Sequence, residues 1–116
     1  PGNAAAANNA AWLLHELKRP GALELAERAV KASASATNLD TLAAILADSN
    51  QMQRAIETQR RAVTEAPKAH VMRLRLAKLL LRQGDKDGAR RELDSLAALG
   101  KNFNLQQEVR ELQQKL

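Results

Sequence analysis

Between Ala36 and Gly100 the sequence says nearly the same thing twice. Displaced by 34 residues, Leu42 falls on Leu76, Ala43 on Ala77, Leu46 on Leu80 and Ala55 on Ala89. Asn50, a residue type that tolerates the left-handed backbone region, falls on Gly84, which tolerates it better. A fixed period of about 20–50 residues is the signature of a chain built from stacked supersecondary units. No such unit can bury its apolar face alone, so each must pack on its neighbours. The expected fold is therefore a short stack of similar units, each a helix, a turn and a second helix.

Leu42, Ala43 and Leu46 share one face of a first helix, and Ala55, Ala62 and Val63 one face of a second. Antiparallel helices approach closely only where side chains are small. Ala43 with Ala55, and Ala77 with Ala89 one period later, are placed to supply that approach. Leu46, Ile56, Leu80 and Leu93 fill the space around it. Pro67 follows the second helix, where a residue that cannot continue a helix is expected.

These features resemble the tetratricopeptide repeat, a 34-residue helix–turn–helix unit with the pattern W-x2-L-G-x2-Y, then A-x3-F, then P. In the middle unit Leu39, Leu42, Ala43, Leu46, Ala55, Ala62 and Pro67 match it. In the next, Leu76, Ala77, Leu80, Gly84, Ala89, Leu93 and Leu96 do. The large aromatics are absent from both units; Arg73 stands where Trp is usual, and alanine replaces the glycine. The resemblance implies an all-α solenoid whose first helices line a concave side. One domain over residues 1–116 is expected, with repeats at about 4–34, 36–69 and 70–102 and a capping helix at about 104–115.

A chain of 116 residues suffices for one small domain with a continuous core. Its 23 alanines, against one Trp, one Phe and no Tyr, favour helix throughout. No apolar run reaches the roughly 18 residues that a membrane span needs. Ala4 to Ala7 is too short, and lacks a basic leader, to read as a signal peptide. The absence of cysteine removes disulfides and thiolate metal sites, which fits the cytosol and equally an envelope compartment. The net charge of +5 is concentrated: residues 68–101 hold nine basic side chains against four acidic ones, and the remainder balances nine against nine. One face of the C-terminal half is expected to be positive.

In chain order, Asn3 is placed to cap a first helix from about Ala4 to Leu17. Lys18 to Gly21 form a turn, with Pro20 near the first helical position that accepts proline. Ala22, Ala26, Ala29 and Val30 mark a second helix to about Ala32. Ala11 to Ala22 spans 11 residues against 12 from Ala43 to Ala55, so one residue is missing from that turn. Thr37 with Asp40 reads as a capping box for a third helix ending near Ser49. A fourth runs from Met52 to Glu65, a fifth from Ala69 to Gln83 with Gly84 as its stop, and a sixth to about Leu99. Asn104 opens a last helix, anchored by Phe103, whose Leu105, Val109, Leu112 and Leu116 form one apolar stripe. Such a helix caps the open end of a stack. No comparable cap precedes Ala4, so that face is expected to continue the array or to associate, with a second copy among the candidates.

A narrower resemblance rests on Asn9 to Leu14 (NAAWLL), Leu39 to Leu42 (LDTL) and Gly88 to Leu93 (GARREL). These are similar to the carboxy-terminal repeats of bacterial tetratricopeptide lipoproteins of exosortase and exopolysaccharide systems. That resemblance implies a scaffold on the periplasmic side of a bacterial envelope; the residues themselves leave the cytoplasm equally open.

Few residues are arranged for chemistry. His15 and His70 each lack a His, Asp or Glu at i+4, the spacing of a helical metal pair. Ser33, Ser35, Ser49 and Ser95 have no nucleophile-elbow glycines beside them. Gly84 to Gly88 lacks the phosphate-loop spacing and reads as a turn. No catalytic, metal or cofactor site is expected, and the chain reads as non-enzymatic. A positive repeat is the electrostatic footprint of a nucleic-acid or anion binder, but without a set of aromatics there is no stacking platform. Weak binding of that kind is one alternative; a purely structural segment of a longer array is another.

The function expected is protein–protein interaction, with a peptide segment or partner held in the concave groove. The positions that commonly face the groove in the family fall on Asn8, Trp12 and His15 in the first unit. In the second they fall on Thr37, Asp40, Ala44 and Ala47, and in the third on Val71, Leu74, Lys78 and Leu81, with Arg82 beside them. Leu74 and Leu81 lie off the face defined by Leu76, Ala77 and Leu80, so they are expected to be open to a ligand. Lys78 and Arg82 would meet Asp or Glu in that ligand. The Lys/Asn clamp that some members use for a terminal carboxylate is echoed only in part by Asn8, Lys78 and Arg82.

Overall fold

The computed structural model describes residues 4–116, so the expected Asn3 cap lies outside the described residues. These form seven α-helices and no strand: α1 Ala4–Glu16, α2 Ala22–Ala32, α3 Ala36–Asp48, α4 Met52–Glu65, α5 His70–Gln83, α6 Lys86–Ala97 and α7 Gln106–Gln113, with a single 3-10 turn at Gly100–Asn102. Consecutive helices pack on one another and α1 also rests on α3, giving an all-α helical-repeat stack of 40 × 27 × 22 Å.

The alanines do what their spacing predicts. Ala11, Ala26, Ala29, Ala43, Ala55, Ala62, Ala77 and Ala89 are wholly excluded from solvent, with Leu39, Leu46, Leu76, Leu80 and Leu93 around them. The first helix of each pair ends in the same way. Lys18, Asn50 and Gly84, each seven residues beyond Ala11, Ala43 and Ala77, have φ of 55°, 61° and 88°. The next amide then reaches back to a helix carbonyl: Arg19 to Leu14 at 2.8 Å, Gln51 to Leu46 at 3.0 Å and Asp85 to Leu80 at 2.9 Å. The repeat is therefore visible in the hydrogen bonding, even where the sequence places Lys at a position suited to glycine.

Three details differ from the sequence reading. The residue missing from the first unit does not shorten its turn. Instead α2 begins at Ala22 itself, whereas α4 and α6 begin three residues before Ala55 and Ala89. Arg19, Pro20 and Gly21 thus replace one helical turn, and Pro20 stays outside the helix. The cap of α3 is Ser35, not Thr37: Ser35 Oγ accepts the Asn38 amide at 3.2 Å. Asn38 is buried and its Nδ2 donates to the Ser33 carbonyl at 2.9 Å and the Ala29 carbonyl at 3.4 Å. That tie to the end of α2 sets where α3 starts, and it leaves Thr37 exposed within the first turn. The last helix begins at Gln106 rather than Asn104, with Leu105 and Leu116 flanking it, half-buried.

Asp85 caps α6, its Oδ1 accepting the Gly88 amide at 2.9 Å. A Cβ on Gly88 would meet Asp85 Oδ2 at 2.5 Å, so a side chain there would displace the capping carboxylate. At the far end, Gln106 Nε2 donates to the Leu96 carbonyl at 2.7 Å and the Gly100 carbonyl at 3.1 Å, fixing α7 to the end of α6. Phe103, Val109 and Leu112 then bury against Leu74, Leu93 and Leu96.

Two consequences are testable by denaturation. Ala55→Leu and Ala89→Leu overfill sites with no free volume and are expected to cost about 1–3 kcal/mol each; a variant that melts with the parent would show that these contacts do not set the helix spacing. Deleting residues 104–116 uncovers Leu74, Leu93 and Leu96 and is expected to lower the melting midpoint and cause concentration-dependent association in light scattering. A truncated chain that stays monomeric and equally stable would contradict the role of α7.

Candidate functional site

A groove runs across α1, α3 and α5. It begins as a cleft of about 680 Å³ between Asn8, Trp12 and Glu16 of α1 and Asp40 and Ala44 of α3, with Arg75 of α5 behind them. Asp40, Ala44 and Arg75 also line the next part, a slot of about 250 Å³ that continues over Ala47, Leu79, Lys78 and Arg82. Lys78 and Arg82 in turn border a third part of about 470 Å³, closed by Leu81 and the α7 residues Glu108 and Leu112. Small side chains on α3 make the depression: Ala44 and Ala47 leave room where larger residues would close the gap.

Its walls are cross-helix ion pairs. Asp40 of α3 pairs with Arg75 of α5 and accepts a hydrogen bond from Gln59 Nε2 at 2.9 Å. Gln59, buried on α4, also donates to the Met72 carbonyl at 2.9 Å, so the carboxylate is held from behind. Asp48 receives Arg82 Nη2 at 3.5 Å and His15 Nε2 at 2.9 Å, joining α1, α3 and α5. Lys78 Nζ lies 2.6 Å from Glu108 Oε2 on α7. These partly exposed pairs contribute about 0–1 kcal/mol each to stability; their larger effect is to neutralise the groove. Arg73, Arg75, Lys78, Arg82 and Arg90, five of the nine basic residues of 68–101, face carboxylates. Glu92 and Asp87 belong to the same segment, so Asp40, Asp48 and Glu108 offset three of its five excess positive charges.

The expected groove residues divide. Asn8, Trp12, Asp40, Ala44, Ala47, Lys78, Leu81 and Arg82 line the clefts. His15 lies on a neighbouring cleft near the α1–α2 turn, its ring 5.7 Å from that of Trp12, which is 44% exposed. Thr37 and Val71, in the first turns of α3 and α5, do not border these clefts. Leu74 is a correction. It is 1% exposed and packed among Leu93, Phe103, Val109 and Leu112, because α6, Phe103 and α7 together cover the side of α5 expected to be open. Leu81 is corrected in part: it is half-buried and packs beside Leu116 while still bordering the outer cleft.

Asn8 is buried, and its Oδ1 has no hydrogen-bond partner among the described residues. The repeat explains why. Asn8 stands three residues before Ala11, as Asp40 stands three before Ala43, but the residue equivalent to Gln59 is Ala26, which has nothing to donate. Arg75, Asp48, Gln59 and Leu79 were not singled out from the sequence. A signal for two of them exists: opposite charges one period apart, Asp48 and Arg82 separated by 34 residues and Asp40 and Arg75 by 35. Among the described residues there is no cluster of three or more His, Asp or Glu that could hold a metal ion, and no helix long and apolar enough to cross a membrane.

A family model for the tetratricopeptide repeat matches residues 46–116, more than half of the chain. No curated protein matches the sequence.

Gln59 lines the inner slot and is also expected to matter for stability. Gln59→Leu strips the Met72 carbonyl and one side of Asp40 of their donor, with an expected cost of about 1–3 kcal/mol. Asn8→Leu removes an acceptor that is already unsatisfied and is expected to leave stability unchanged or raised. Urea denaturation of the two variants checks the contrast; equal losses would contradict it.

Proposed function

The chain belongs to the tetratricopeptide-repeat family, and from that premise we propose that it is a non-enzymatic scaffold holding a segment of a partner protein in the groove of α1, α3 and α5. Repeats of this class are generally protein–protein interaction modules. In this reading the units are residues 4–34, 36–69 and 70–102, closed by α7.

The observation that carries the proposal is the slot between the Asp40–Arg75 and Asp48–Arg82 pairs. It is floored by Ala44, Ala47 and Leu79 and holds about 250 Å³, suited to one large apolar side chain. The partner segment supplies that side chain as an anchor. Carboxylates along α3 and cations along α5 flank it, so polar groups on either side of the anchor meet opposite charges on opposite walls. Register, rather than net charge, then selects the ligand. An acidic residue in the ligand must displace Glu108 from Lys78 or Asp48 from Arg82, which makes it secondary to the apolar anchor. The same pairing engages the cations that border the groove, Arg75, Lys78 and Arg82, so phosphate would have to displace a carboxylate there.

Ala44 borders the two inner clefts and is half-buried, so a charge there blocks the slot without entering the core. Peptides selected from a random phage library on the parent chain are expected to share an apolar residue. They should bind Ala44→Glu at least about tenfold more weakly, a loss of about 1.4 kcal/mol, with melting unchanged. Selected peptides indifferent to Ala44→Glu would contradict the groove reading.

A further inference from the structure

The groove changes character along its length. Counted from Ala11, Ala43 and Ala77, the residues three before, one after and five after form a single row on each first helix. The row reads Asn8, Trp12 and Glu16 on α1, Asp40, Ala44 and Asp48 on α3, and Leu74, Lys78 and Arg82 on α5. Between α3 and α5, Arg75 and Arg82 take up Asp40 and Asp48. Between α1 and α3, by contrast, both rows carry carboxylates. Glu16 is exposed and has no ion pair among the described residues. Arg75 is the one cation among the described residues lining the cleft of about 680 Å³ that Glu16 borders, and Asp40 already engages it. His15, Lys18 and Arg19 line the neighbouring cleft instead.

Two further groups in the cleft favour the same ligand chemistry. Trp12, 44% exposed, lies one helical turn before Glu16, so an indole and a carboxylate border one space. Asn8, 7% exposed, borders it as well, and its Oδ1 is an acceptor with no donor among the described residues. A carboxylate, an aromatic ring and an amide oxygen all attract a cation that carries several N–H groups.

On the premise that the groove holds a partner segment, we propose that this cleft takes an arginine side chain of that segment, next to the apolar anchor in the slot over Ala44 and Ala47. Asp40, Ala44 and Arg75 border both spaces, so a segment anchored in the slot extends directly over the cleft. The guanidinium stacks on Trp12 and donates to Glu16, the geometry that a planar, weakly hydrated cation favours. Lysine, a strongly hydrated point charge, gains less from the ring. A segment running the opposite way would bring its arginine to Lys78 and Arg82, which repel it. The two ends of the groove therefore fix the direction of the ligand as well as its composition.

Peptides selected from a random phage library on the parent chain are expected to carry arginine on one fixed side of the apolar residue. In a synthetic peptide of that kind, replacing the arginine by glutamine should weaken binding to the parent about fivefold, and binding to Glu16→Gln by less than about twofold. Trp12 is the only tryptophan, so its emission should change as the peptide is titrated into the parent. Three results would overturn the inference and leave the groove standing, each with peptides that lose affinity for Ala44→Glu. They are no preference for arginine, an equal effect of the arginine on the parent and on Glu16→Gln, and an unchanged Trp12 emission on binding. Peptides indifferent to Ala44→Glu would overturn the groove and this inference together.

Discussion

Close helix approach at buried alanine is the contact on which the rest of the molecule depends. Ala43, Ala55, Ala77 and Ala89 are wholly excluded from solvent, and around them the leucines of one pair reach the next. Leu46 clusters with Ala11, Ala22 and Ala26 of the pair before it and Leu79 of the pair after it, and the last pair shares a cluster with Phe103, Val109 and Leu112 of the capping segment. Stability in such a stack is a sum of neighbour terms, so the ends are weaker than the middle.

The groove follows from the same geometry. Once first helices stack side by side, the residues between their packing faces and solvent meet across a narrow gap. Ala44 and Ala47 leave that gap open on α3, and the pairs Asp40–Arg75 and Asp48–Arg82 span it. Gln59 extends the arrangement inward by tying Asp40 to α4 and to the start of α5. Where no such donor exists, as at Ala26, the buried Asn8 Oδ1 has no hydrogen-bond partner among the described residues. The first unit is therefore the less satisfied end of the groove as well as the less covered end of the stack.

Much of this was legible in the sequence. The 34-residue period identified the helix–turn–helix units, the close-contact alanines and the left-handed stops at Asn50 and Gly84. The groove positions implied by the family resemblance put Asp40, Ala44, Ala47 and Lys78 on the side of the first helices that borders the clefts. What it missed depended on contacts between units. Leu74 reads as outward on its own helix, yet it is buried in one cluster with Leu93 and Leu96 of α6, Phe103, and Val109 and Leu112 of α7. Ser35 and Thr37 are equivalent caps locally, and the choice falls to Asn38, which is anchored to α2. The positive charge of the third unit is legible in composition, but its neutralisation requires Asp40, Asp48 and Glu108 from elsewhere in the chain.

Amide hydrogen exchange, resolved helix by helix, tests most directly whether neighbour stacking holds the molecule together. α3, α4 and α5, packed on both sides, are expected to exchange most slowly and near the global unfolding limit. α1, with Leu13 uncovered, and the eight-residue α7 should exchange faster through opening at the ends. Uniform protection from α1 to α7, or an α1 as slow as α3, would contradict the account.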